Sequence, residues 1–220
     1  MTRINYLQPT GKLYDSYIRD AKEIRNNIPV SDIHTIFDAG ANTGGSTLAL
    51  KSVFNGATVH AFEPFNGNFK KLLENTDGHL DIYTYNFGFS DKIQNDVPIG
   101  NPKIPKTKQH NSGRLTICSP NGPIDTINLV KMSKWCHDNN IIPDLLWMDI
   151  EGCEYQVIAE LIQSGLIKSI PYIYIEINPT YETSSLIANL LSDYDQIYIS
   201  GKRSNRAPIN YLFKTKNKCT

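Results

Sequence analysis

The chain has 220 residues and carries 22 basic and 22 acidic side chains, so its formal net charge is zero. That length fits one domain with elaborations and buries a core without disulfide or metal staples. Balanced charge argues against a whole-surface nucleic-acid binder, and no apolar run approaches the length of a membrane span.

The opening stretch "MTRINYLQPTGKLYDSYIRD" lacks the apolar segment of a secretory leader. Leu13, Tyr14, Tyr17, Ile18, Ala21 and Ile24 recur at helical spacing and predict an amphipathic helix over 12–26 that packs on the domain. From residue 33 strands and helices alternate. "HTIFDAG", "TVHAFEP" and "DIYTYNFGFS" are expected strands; "GGSTLALKSVF" and "FNGNFKKLLEN" are the helices between them. Residues 90–123 contain five prolines and are expected to form an irregular loop insertion. A helix near 127–139 follows, then the pairs "DLLWMDI" with "CEYQVIAELIQSG" and "YIYIEIN" with "YETSSLIANLLSD". "QIYIS" and "INYLFKT" close the chain as a hairpin-like antiparallel pair. The alternation implies a mainly parallel sheet with helical crossovers. Cys118, Cys136, Cys153 and Cys219 are scattered, without C-x-x-C spacing, and read as reduced thiols of a cytoplasmic protein.

The turn "IFDAGANTGGST" carries the first chemistry. In an open α/β sheet, ligands bind at the carboxyl ends of the strands, which places Asp38, Gly40, Asn42 and Thr43 at the ligand edge. Asn42 occupies the position of the second glycine in the dinucleotide fingerprint G-x-G-x-x-G, so a pyrophosphate fits poorly. Gly44 and Gly45 open a helix whose free N–H groups suit a carboxylate. A smaller ligand with a carboxylate, such as S-adenosylmethionine, meets these constraints. Glu63 ends the second strand 23 residues beyond Gly40, near the offset at which an acid meets ribose hydroxyls. The exit of the third strand offers Phe89, Ser90 and Asp91 to an adenine ring.

In "DLLWMDIEGCEYQVI" an apolar strand ends in Asp149 and Glu151, two acids placed to face the crevice, while Glu154 falls in the first turn of the next helix, where it caps. Together, "FDAGANTGGSTLAL", "VHAFEPFNGNFKKLLEN" and "MDIEGCEYQVI" resemble the FkbM-type methyltransferases, a branch of the class I S-adenosylmethionine-dependent enzymes. The resemblance covers about 33–178. It implies a Rossmann-like fold with a seven-stranded, mainly parallel sheet, an antiparallel last strand and helices on both faces. It also implies methyl transfer from S-adenosylmethionine to a hydroxyl of a sugar, polyketide or related metabolite. Carried over, it makes Asp38, Gly40, Asn42 and Glu63 cofactor contacts, and Asp149 and Glu151 active-site acids. On this reading residues 1–220 are one methyltransferase domain with an N-terminal helical extension (1–30) and a substrate-loop insertion (90–123).

An alcohol needs help to lose its proton, from a base or a metal. Asp149 is the first candidate base, and His110, in the expected substrate loop, is the second. Asp149, Glu176 and Asn178 form an all-oxygen set that would suit Mg²⁺, a route the sequence does not favour. Lys103, Lys106, Lys108 and Arg114 in an acid-free loop raise the option of an anionic small-molecule or carbohydrate substrate, with no nucleic acid or membrane partner expected. Two rival readings are an NAD-dependent sugar-modifying enzyme and a non-catalytic S-adenosylmethionine-binding module. The first lacks its glycine fingerprint here, and the second would not need both strand-end acids.

Overall fold

The apolar runs become strands where they can be covered on both sides. The computed structural model describes residues 12–100, 116–117, 123–177, 191, 194–200 and 209–216. Helix α1 (Lys12–Asn27) leads into strand β1 (Thr35–Ala39), helix α2 (Gly45–Val53), β2 (Thr58–Phe62), α3 (Asn66–Thr76) and β3 (Ile82–Tyr85). Short β4 (Gly88–Phe89), β5 (Gln94–Gly100), β6 (Thr116–Ile117) and β7 (Asp125–Val130) follow, then α4 (Met132–Asn139), β8 (Leu145–Met148) and α5 (Glu154–Ser164). β9 (Tyr172–Ile177), β10 (Tyr194–Ser200) and β11 (Ile209–Thr215) complete the described elements.

The main sheet has seven strands in the order β10-β11-β9-β8-β1-β2-β3. β1 pairs in parallel with β2 on one side and β8 on the other, while β11 runs antiparallel to both β9 and β10. The expected antiparallel last strand is therefore present, but it lies inside the sheet and β10 forms the edge. One face packs Phe37, Leu146, Met148, Ile173 and Ile175 against α4 and α5. The other packs Ile36, Val59, Leu145 and Trp147 against α1 and α2. Burial on both faces explains why β8 reads as the unbroken apolar run Leu145-Leu146-Trp147-Met148.

Three expectations change. The helix expected near 127–139 starts only at Met132, because Ile127 and Leu129 are buried and alternate with exposed Thr126 and Asn128, the period of a strand. The segment expected to be an irregular loop contains β5 and β6, which join β4 and β7 in a second sheet ordered β4-β7-β5-β6. Val97 and Ile99 supply its buried face on either side of Pro98. The third expected strand breaks between β3 and β4, and its last part changes sheets. The expected helix over 181–193 lies outside the described residues. Among the described residues no helix is long and apolar enough to cross a membrane, and Cys136 and Cys153 are free thiols.

Candidate functional site

Strand order reverses beside β1: the chain goes to β2 and β3 on one side, then returns to β8 and β9 on the other. A crevice opens at such a switch point. Here it is a cavity of about 340 Å³ at the carboxyl ends of β1, β2, β8 and β9. Gly40, Asn42, Glu63, Asp149, Glu151 and Glu176 all reach it, and its other wall is apolar, with Phe65, Phe89, Ile99, Ile127 and Leu129.

The turn after β1 is shaped by backbone that ordinary residues avoid. Gly40 has φ +91°, Asn42 +52° and Gly44 +94°. A Cβ on Gly40 would lie 1.9 Å from the Asp149 carbonyl oxygen, so this glycine lets β8 close on β1 as well as opening the turn. Asp38 sits behind the turn with no exposure and is absent from the cavity wall. Its Oδ2 accepts hydrogen bonds from Ser46 Oγ (2.8 Å) and Thr47 Oγ1 (2.6 Å), tying the first turn of α2 to β1. Burial raises its carboxyl to about 6, and its Oδ1 is buried without a partner among the described residues.

Glu63 closes the turn from β2. Its Oε2 accepts from the Asn42 N–H and its Oε1 from the Phe65 N–H, each at 2.8 Å. The Asn68 side chain adds a third bond, yet burial dominates and pushes Glu63 up to about 7. A carboxylate has about four acceptor sites, so the group can still take a ligand hydroxyl.

The acids beyond β8 repel one another. Burial raises Asp149 well above the ordinary carboxylate range, and Glu176 and Glu151 add to it. Burial, then Glu151 and Asp20, lift Glu176 to about 7. Glu151 holds φ +53°, a left-handed geometry that costs on the order of 1 kcal/mol in a residue with a Cβ. Such strain is characteristic of functional positions. Glu154 is absent from the cavity wall; it stands in the first turn of α5 and accepts the N–H of Gly152, just before the helix, at 3.0 Å.

Four expected contacts do not reach the cavity: Asp38, Thr43, Ser90 and Asp91 are absent from its wall. Thr43 offers its carbonyl to Asn75 Nδ2 at 2.7 Å, and Ser90 Oγ donates to Asp91 Oδ1 at 3.1 Å. Of the three residues expected at the third strand's exit, Phe89 does line the wall, together with Gly88, where β4 leaves the main sheet. His110 and Asn178 lie outside the described residues. Among the described residues no three His, Cys, Asp or Glu side chains form a metal site.

Sequence reasoning gave the N-terminal helix a part in substrate selection but did not name the α1 residues that reach the cavity. Leu13, Ser16, Tyr17 and Asp20 line the cavity, while Ala21 and Ile24 are fully buried in the core. The spacing i, i+3, i+4, i+7 puts these four on one face, and an acid at the rim of an apolar stripe was the available signal. The Tyr17 ring packs 3.0 Å from where a Gly45 Cβ would stand. Burial and the nearby Asp149 raise its hydroxyl above the usual tyrosine range.

Solved structures share this architecture. Aeropyrum pernix fibrillarin, described with natively bound S-adenosyl-L-methionine, is 9% identical with a TM-score of 0.55, covering 91% of this chain and 76% of its own. The N-terminal domain of human METTL16, in complex with SAH, is 13% identical with a TM-score of 0.53 over 99% and 75%. A putative rRNA-methylase from Clostridium thermocellum is 11% identical with a TM-score of 0.52 over 95% and 98%. At such identities the likeness is one of fold. No protein of curated function matches in sequence. A sequence profile for the methyltransferase FkbM domain matches residues 38–198, which include the β1 turn, Glu63 and the Asp149–Glu154 segment. The chain therefore belongs to the FkbM family of methyltransferase domains.

Proposed function

We propose that the protein is an S-adenosylmethionine-dependent O-methyltransferase acting on a hydroxyl of a sugar or other small hydroxylated metabolite. The observation that carries this reading is the joint placement of the Gly40–Asn42 turn, Glu63 and Asp149 around one cavity. The cavity's size falls in the range of small-molecule sites. Its carboxylates suit a positively charged donor, and its apolar wall suits a flat heterocycle.

Bound there, S-adenosylmethionine supplies a methyl group on a cationic sulfur. Glu63 accepts ribose hydroxyls with the lone pairs its backbone donors leave open. Gly40 and Asn42 shape the turn under the donor, and Asp38 holds that turn through Ser46 and Thr47. The apolar residues Phe89, Ile99, Ile127 and Leu129 exclude water around the base. Asp149 takes the proton of the acceptor hydroxyl as its oxygen is methylated. A cation in the cavity lowers the raised pKa of Asp149 and so favours the ionised, basic form. Positioning by the rigid strand ends supplies much of the acceleration.

Zero net charge and the acidic wall support a small acceptor over a nucleic acid. The anionic option rests on Lys103, Lys106, Lys108 and Arg114, outside the described residues, whereas the described wall has the opposite sign. Transfer of labelled methyl from S-adenosylmethionine to hydroxylated metabolites tests the proposal. Alkali-stable label on oxygen supports it, and label confined to nitrogen or carbon overturns the O-methyl assignment.

A further inference from the structure

The cavity extends past the donor turn, and its far end has a distinct composition. Glu176 on β9 and Asn210 on β11 are register partners. β11 lies three strand spacings from β1, or about 14 Å along the sheet. Across from them α1 brings Tyr17 and Asp20, and Asn210 Nδ2 donates to Asp20 Oδ2 at 3.3 Å, joining two ends of the chain over the cavity. Tyr17, Asp20 and Asn210 all lie outside residues 38–198, the segment shared with the family.

The groups at this end ask for hydrogen-bond donors and positive charge. Asp20, Asp149, Glu151 and Glu176 contribute four carboxyl groups to the wall, and no Lys or Arg is among the described wall residues. Among the described residues the exposed Arg19 meets Asp20 Oδ1 through its Nε at 3.3 Å, and the Tyr174 hydroxyl also bonds to Asp20. Asn210 Oδ1 is buried and accepts no hydrogen bond among the described residues. A bound S-adenosylmethionine adds a net charge of about one, and a further cation beside Asp149 and Glu176 favours their ionised forms. The rings of Tyr17, Trp147 and Tyr174 line the same end, and aromatic rings attract cations. An ammonium group supplies three donors, no acceptor and the missing charge.

We infer that this end of the cavity is the acceptor subsite and that it takes a hydroxylated amine, protonated at neutral pH, of the amino-sugar or amino-alcohol class. The inference rests on the proposed methyl donor. The ammonium sits against Glu176, Asp20 and Asn210, which presents a neighbouring hydroxyl to Asp149. The methyl group forms its new bond to that hydroxyl oxygen and leaves sulfur, and the hydroxyl proton goes to Asp149.

The test uses the full chain, labelled S-adenosylmethionine and a small-molecule metabolite extract. The products are separated by cation and anion exchange at pH 7. Label that is retained on the cation exchanger, elutes apart from unreacted S-adenosylmethionine and is absent when the protein is left out is expected. The purified product's parent should then bind the S-adenosylhomocysteine complex in calorimetry, 10- to 100-fold more weakly after Glu176→Gln. Asp20→Asn, a second near-isosteric change on a different element, is expected to act in the same direction. Donor binding is measured separately with S-adenosylhomocysteine. If that fails, the underlying methyltransferase reading fails. If it succeeds while label appears only in neutral or anionic fractions, or in none, the amine inference is overturned. Unchanged affinity in both variants overturns the assignment of the subsite.

Discussion

Among the described glycines with close neighbours, Gly40 is the one whose replacement with alanine should be most damaging. The added Cβ would stand 1.9 Å from the Asp149 carbonyl oxygen, and contacts under 3.0 Å essentially never occur. Relief needs a separation of at least 1.1 Å (3.0 − 1.9) between the ends of β1 and β8. That movement breaks the 3.0 Å bond from the Asp149 N–H to the Ala39 carbonyl, worth about 1 kcal/mol. Overpacking adds about 1–3 kcal/mol, and a Cβ at φ +91° adds roughly 1–2 kcal/mol. The total, about 3–6 kcal/mol, should lower Tm by roughly 6–24 °C for a chain of this size. Because Asp149 moves with β8, turnover should fall about 100-fold in the protein that still folds. Gly165→Ala is the control: it has φ +78° but nothing within 4 Å of its Cβ, so it costs the backbone penalty alone. Thermal melts of the two variants side by side decide the matter. Equal losses of Tm would refute the claim that close approach of β1 and β8 fixes this glycine.

Four further outcomes follow from the carboxylates. Glu63 rises from 4.5 to about 7 on folding, so the folded state binds more protons between those values. Its stabilising contribution is therefore full below pH 4.5 and is lost as pH rises through about 7, a change of about 3 kcal/mol. Chemical denaturation at pH 5 and pH 8 should show this loss in the wild type and a smaller one in Glu63→Gln; equal losses would mean Glu63 does not bind the proton. The same variant should weaken S-adenosylmethionine binding about 10- to 100-fold in a titration, the value of a hydrogen bond to a charged group. Asp149→Asn should cut turnover roughly 10²- to 10⁴-fold while donor affinity stays within a few-fold. Full turnover in that variant would remove Asp149 as the base. The turnover of the wild type should rise with pH as the coupled Asp149 and Glu176 ionise, with apparent pKa values that belong to the pair.

Much of the donor side was legible because its signals are local. "DAGANTGG" shows its positive-φ turn through glycine and asparagine, the residues that tolerate it. The unbroken apolar run before Asp149 reports a strand covered on both faces. The second sheet was obscured because its prolines outweighed the alternation of Val97 with Ile99 and of Ile127 with Leu129. The far end of the cavity was illegible for a different reason. Asp20 and Asn210 meet only through the tertiary fold, 190 positions apart, and neither belongs to a motif. Asp38 was misjudged in part: an acid at a strand's end can face inward, and here Ser46 and Thr47 of the next helix claim it. Gly40 lies at the cavity as its place in the turn implies, but its close approach to the Asp149 backbone is a tertiary contact that no local motif shows.

The central claim is that the cavity beside β1 holds a methyl donor rather than a dinucleotide. Calorimetric titration of the full chain with S-adenosylmethionine and with NAD under identical conditions tests it most directly. Saturable one-site heat with S-adenosylmethionine, reduced in Glu63→Gln, and none with NAD is the predicted result. Heat with NAD and none with S-adenosylmethionine would contradict it.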